Sequence, residues 1–146
     1  VELAFPMPVE AERHYRNSLV LRRGPVVLAL PIGEEWIKMR GEEPHADWEV
    51  HPTTPWNYGL LLDASSVATA VTLEQRPVGR NPFSSEETPL LGRVKARPVP
   101  QWTMVNSSAG PLPESPAKSS EPDEEVTLIP YGSAKLRVTA FPEIAR

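Results

Sequence analysis

An all-β fold is what this sequence predicts, in the form of an antiparallel β-sandwich of jelly-roll type. Proline is the first reason. It fills 18 of 146 positions, about twice the usual share, and it is excluded from helix interiors and from central strand positions. The second reason is alternation: apolar and polar residues exchange places in short runs of strand length. The third is that clusters of Gly, Pro, Asn and Ser separate these runs. Together they describe about seven or eight short strands with almost no helix, the pattern of sandwich and jelly-roll domains.

Residues 1–9, VELAFPMPV, alternate and then meet two prolines, which predicts an edge strand. Residues 17–23 and 25–32 predict two more strands. The break between them falls at Gly24, which can take a positive φ, and Pro25, which can start a strand or a bulge. Val26, Leu28 and Leu30 share one face of the second run, and Val27 and Ala29 share the other. Both faces are apolar, so this strand is expected to be buried on both sides, beneath another domain. Residues 33–41, GEEWIKMRG, predict one or two helical turns with Trp36, Ile37 and Arg40 on a common face.

A proline-rich stretch, 44–55, follows. Residues 56–65 then alternate Trp56, Tyr58, Leu60 and Leu62 on one face of a strand. Residues 68–76 continue in the same way, with Val71 and Leu73 opposite Ala70, Thr72 and Glu74. In residues 90–99, Arg93, Lys95 and Arg97 oppose Val94 and Ala96, the pattern of a half-buried strand. Residues 106–125 have the composition of an exposed loop. Two last strands, 125–130 and 134–141, flank PYGS, which reads as a hairpin turn with Gly132 at positive φ.

The length suits one domain, 1–146. The net charge of −4 comes with no basic stripe, which disfavours a nucleic-acid partner. No apolar run reaches the ~18 residues of a membrane span. With no cysteine there is no disulfide, thiol nucleophile or cysteine-held zinc. No G-x-S-x-G nucleophile elbow and no glycine-rich phosphate loop occur. The first residues read as a strand entered midway, so the chain is expected to be a fragment of a larger multidomain chain. Open edges would then favour homo-oligomers.

The densest chemistry is PHADWEVHPTTPWNYGL, residues 44–60. Here His45, Asp47, Glu49 and His51 occupy every second position. On a strand, neighbours in this set stand about 6.5 Å apart and its ends about 20 Å apart. A zinc ion, bound at about 2.0–2.2 Å, joins at most a pair such as Glu49 and His51. The alternative is a solvated face with Trp48 and Val50 turned inward. Asp47 and Glu49 have the spacing of a glycosidase carboxylate pair, but no apolar pocket in the sequence tunes them. Trp36, Trp48, Trp56, Tyr58 and Trp102 are candidates either for stacking on sugar rings or for anchoring an interface.

Several segments taken together resemble a known family: NSLVLRRGPVVLALPIGEEW, ADWEVHPTTPWNYGL, RPVPQW followed by AGPLPESP, and VTLIPYGSAKLRVTAFP. In this order they resemble the C-terminal β-sandwich region of the β-L-arabinofuranosidase-like glycoside hydrolases, family 127 and its relatives. The resemblance spans almost the whole chain. It implies a non-catalytic accessory domain that packs on an (α/α) barrel. That barrel would carry a cysteine nucleophile, a zinc ion held by cysteines and a glutamate, and a carboxylate acid/base. None of these can be placed on a chain without cysteine, so zinc is expected only in the catalytic domain. The alternative is a carbohydrate-binding module that uses exposed tryptophans on plant-type carbohydrate.

Overall fold

The computed structural model describes residue 3 and residues 5–145. In chain order the strands are β1 (Val9–Arg13), β2 (Leu19–Arg23), β3 (Val26–Pro31), β4 (Glu34–Arg40), β5 (Asp47–Pro52) and β6 (Tyr58–Leu60). A helical turn, α1 (Val67–Ala70), precedes β7 (Thr72–Gln75). Then come β8 (Leu90–Pro98), β9 (Met104–Val105), β10 (Ser108–Ala109), β11 (Glu124–Pro130), β12 (Arg137–Val138) and β13 (Ala140–Phe141). The fold is all-β and sandwich-like, with antiparallel strand pairing and one large curled sheet. That sheet runs β1-β2-β3-β11-β8-β6, with β7 on β8, β12 on β3 and β13 on β2. Two small hairpins, β4–β5 and β9–β10, stand apart from it.

Alternation sets which face is inside. On β8, Val94 and Ala96 are buried while Lys95 is exposed and Arg93 and Arg97 are half-buried, the half-buried pattern the sequence predicts. Arg93 reaches Glu74 at 2.7 Å and Arg97 reaches Asp123 at 2.6 Å on the outer face. Gly24 turns β2 into β3 at φ 55, a conformation a side chain rarely adopts. The chain itself buries Leu28, Ala29 and Leu30. Val26 and Val27, at the start of the strand, stay half-buried.

The C-terminal segment ties the sheet together. β13 pairs with β2 through Ala140↔Val20 and Phe141↔Leu19. The next residues cross to β6, where Leu60 N–H donates to the Pro142 carbonyl (2.8 Å) and Ile144 N–H donates to the Leu60 carbonyl (2.9 Å). One short strap thus links β2 to β6, and Arg13 pins it from β1 through Glu143 at 2.7 Å. Phe141 is fully buried in the main core with Leu19, Leu28, Leu60 and Leu128. Burial of such a side chain stabilises by about 1.5–3 kcal/mol. A second, smaller core holds Val99, Trp102, Ala117 and Ile144, and Trp56 packs against both cores.

Several expectations are corrected. The first strand starts at Val9. Pro6 and Pro8 remove ladder donors, and Leu3, Phe5 and Met7 are exposed; Val1, Glu2 and Ala4 lie outside the described residues. Within residues 33–41, Glu34–Arg40 form a strand, β4, because they pair with β5 from Glu34↔Pro52 to Arg40↔Asp47. Their helical spacing carries no force, since neither face of the hairpin is buried in a core. Residues 67–70 make a helical turn before β7 begins. PYGS is a 3-10 turn rather than a hairpin turn: β11 and β12 both pair with β3 and not with each other. Gly132 is not among the positive-φ residues. Within residues 106–125, Asn106 (φ 50) and Ser107 (φ 60) close the β9–β10 hairpin as a two-residue turn. Ser115 and Ala117 of the same stretch are buried under the C-terminal strap.

Candidate functional site

The β4–β5 arm carries most of the residues singled out from the sequence. Its base is set by Thr53 N–H donating to the Gly33 carbonyl (2.9 Å) and Gly33 N–H donating to Thr54 Oγ1 (2.8 Å). A Cβ at Gly33 would collide with the side chains of both threonines, so a larger residue at the base of the arm requires them to move.

Strand alternation places Glu49 and His51 on one face of the arm and Trp48 and Val50 on the other. On the polar face the H-x-D-x-E-x-H pattern resolves into separate pairs. Asp47 Oδ2 accepts from Arg40 Nε (3.2 Å) and Nη2 (3.0 Å), and His51 Nε2 lies 3.0 Å from Glu49 Oε2. His45 falls in the turn before β5, where its N–H donates to the Glu42 carbonyl. Among the described residues no three metal-binding side chains converge. The sequence has no cysteine, so the cysteine ligands of the zinc ion that the resemblance places on the barrel are not among its residues. Asp47 and Glu49 are exposed on an open hairpin.

The opposite face is aromatic. Trp36 and Trp48 meet edge-to-face, their ring centroids 6.2 Å apart. They remain 43% and 40% exposed, whereas Ile37, 41% exposed, pairs with Glu49 and so shares the polar face. Trp36 is held from three sides. Its Nε1 donates to Glu34 Oε2 (3.0 Å), the Lys135 ammonium lies 4.5 Å from its ring centroid, and Trp48 abuts it. Glu34 is itself fixed, since its Oε1 accepts from the Leu136 N–H (2.9 Å).

The other aromatic candidates lie in the interior. Trp102 is 3% exposed; its Nε1 donates to the Gly110 carbonyl (3.0 Å) and its ring meets Trp56 at 5.0 Å. Tyr58 is 7% exposed, and its hydroxyl donates to Glu124 Oε2 (2.8 Å). Burial first, then the hydrogen bond and charge of Glu124, push its pKa up to about 12. Packing uses up these faces, which takes Tyr58 and Trp102 out of the set able to stack on a sugar. Trp56 is half-buried between the two cores.

Beside Trp36 opens a cleft of about 460 Å³, bounded by the root of β4, the loop 81–86 and the turn 133–135. Sequence reasoning does not find its other members, Phe83 and Lys135. The one available signal is a large aromatic set among turn formers, NPFSSEE. Glu86, on the cleft rim, has its carboxyl held below the usual range, chiefly by the hydroxyl of Ser85.

No family model, no curated protein and no solved structure matches the chain.

Proposed function

We propose that this chain is a non-catalytic accessory β-sandwich domain of a glycoside hydrolase resembling the β-L-arabinofuranosidases, and that it packs on a helical-barrel catalytic domain through the β4–β5 arm. The observation that carries the packing is the arm itself. Trp36, Ile37, Met39 and Trp48 stand exposed on one two-stranded hairpin outside the main sheet. An isolated hairpin is at best marginally stable in water, and an exposed aromatic pair such as Trp36 and Trp48 on one face is a usual anchor of an interface. The identity of the partner rests on the resemblance of the four sequence segments. The separate pairing of Arg40 with Asp47 and of His51 with Glu49 supports a structural role for the polar face.

The test compares two proteins, the 146-residue chain and the full-length protein that carries it, on an aryl β-L-arabinofuranoside. Turnover by the full-length protein, with none by the chain, is the expected result. Turnover by the chain, lost in Asp47→Asn or Glu49→Gln, overturns the accessory assignment. A full-length protein without a helical barrel overturns the partner.

A further inference from the structure

We propose that the cleft between the root of β4 and the loop 81–86 binds a neutral carbohydrate, with Phe83 as its stacking platform. This goes beyond a packing role for the arm and stands or falls separately from it.

Three segments distant in sequence build the cleft: the start of β4, the loop 81–86 and the turn 133–135. Its volume of about 460 Å³ lies within the usual range for small-molecule sites. Phe83 is 76% exposed, yet it does not sit on a loose tip. Ser84 N–H donates to the Asn81 carbonyl (3.1 Å), Asn81 N–H donates to Glu87 Oε2 (2.8 Å), and Ser133 Oγ donates to the Pro82 carbonyl (2.9 Å). The Phe83 ring lies against Gly132, whose missing Cβ would stand 3.6 Å from Phe83 Cδ1. An aromatic plane is thus held in water by a loop stiffened by two local hydrogen bonds and tied to the turn 131–133 by a third.

Trp36 lines the same cleft and is fixed by Glu34, Lys135 and Trp48. Such fixing lowers the ordering cost of binding. The sugar class follows from charge and polarity. Glu34 and Glu86 outnumber the one ammonium, Lys135, among these groups, so the cleft disfavours phosphates and uronates. Carboxylate, amide, hydroxyl and ammonium groups beside two aromatic rings suit a ligand with an apolar C–H face and a rim of hydroxyls. Lys135, on a flexible stem with three donors, is placed to donate to a hydroxyl, and Glu86 to accept from one.

The test titrates the 146-residue chain with L-arabinose, arabinobiose and galactose as neutral probes, and with galacturonate and inorganic phosphate as anionic ones. Tryptophan fluorescence and amide chemical shifts are followed. Saturable binding of at least one neutral sugar in the millimolar range, with shifts at residues 81–86 and 133–135, is the expected result. Phe83→Ala, which removes an exposed ring and leaves the core intact, is expected to weaken it about tenfold or more. Galacturonate is expected to bind more weakly than galactose. No saturable response to any neutral sugar overturns the proposal, as does binding that survives Phe83→Ala unchanged. Preference for galacturonate or phosphate overturns the assignment to neutral carbohydrate.

Discussion

Gly59 lies directly beneath Ile144. A Cβ at Gly59 would overlap the Ile144 side chain and come within 3.1 Å of the Pro142 carbonyl oxygen. The strap that links β2 to β6 crosses at this point, and its close approach to β6 depends on one missing side chain. Gly59→Val should therefore lift the strap rather than fill a void. Overpacking of this kind costs about 1–3 kcal/mol. A lowered Tm with faster amide exchange at Leu60 and Ile144 is expected; exchange unchanged at both positions would show that the strap does not depend on Gly59.

Trp102 anchors the smaller core by its ring against Trp56 and by its Nε1–H to the Gly110 carbonyl. Trp102→Ala is expected to destabilise by about 3–5 kcal/mol, the usual range for a large aromatic removed from a core. Trp102→Phe keeps most of the packing and leaves the Gly110 carbonyl without its donor, so a smaller loss is expected. Urea unfolding of the two variants gives the order directly, and equal losses would deny the packing its share.

Tyr58 ties stability to alkaline pH. Its pKa is raised to about 12 in the folded protein, above the roughly 10 of an unfolded chain. Between these values the folded state holds a proton that the unfolded state releases. The contribution is complete below pH about 10 and is lost as pH rises toward about 12. Tm should fall more steeply over this window in the wild type than in Tyr58→Phe. Parallel curves would remove Tyr58 as the cause.

The arm separates folding from packing. Met39→Lys removes an exposed apolar group with no core role, so the 146-residue chain should keep its stability within about 0.5 kcal/mol. Against the proposed barrel domain the same change should lower Tm or split one unfolding transition into two. A full-length protein that tolerates Met39→Lys without effect would move the interface away from the arm.

His51 and Glu49 form an exposed pair, and such pairs contribute about 0–1 kcal/mol. His51→Ala is expected to change Tm little, and zinc titration calorimetry should show no binding that depends on His51. Heat of zinc binding abolished by that substitution would restore the metal reading.

The sequence by itself determined the β class and the strands within 17–23, 25–32, 90–99 and 125–130. Proline density excludes long helices, and alternation is decisive wherever a strand buries one face, as β8 does with Val94 and Ala96. It also limited H-x-D-x-E-x-H to pairwise contacts, because the rise per residue of a strand is the same in any fold. Tertiary structure alone decided the rest. Residues 34–40 are a strand because β5 lies beside them; an exposed segment has no burial pattern from which to read its period. Residues 137–141 pair with β3 and then β2 instead of folding back on β11, since pairing depends on which edges lie free nearby. Trp102 is interior while Trp36 is half-open, because burial belongs to the packed neighbours and not to the side chain. Trp36, Phe83 and Lys135 line one cleft only because the curled sheet brings three distant segments together, and no local pattern records that contact.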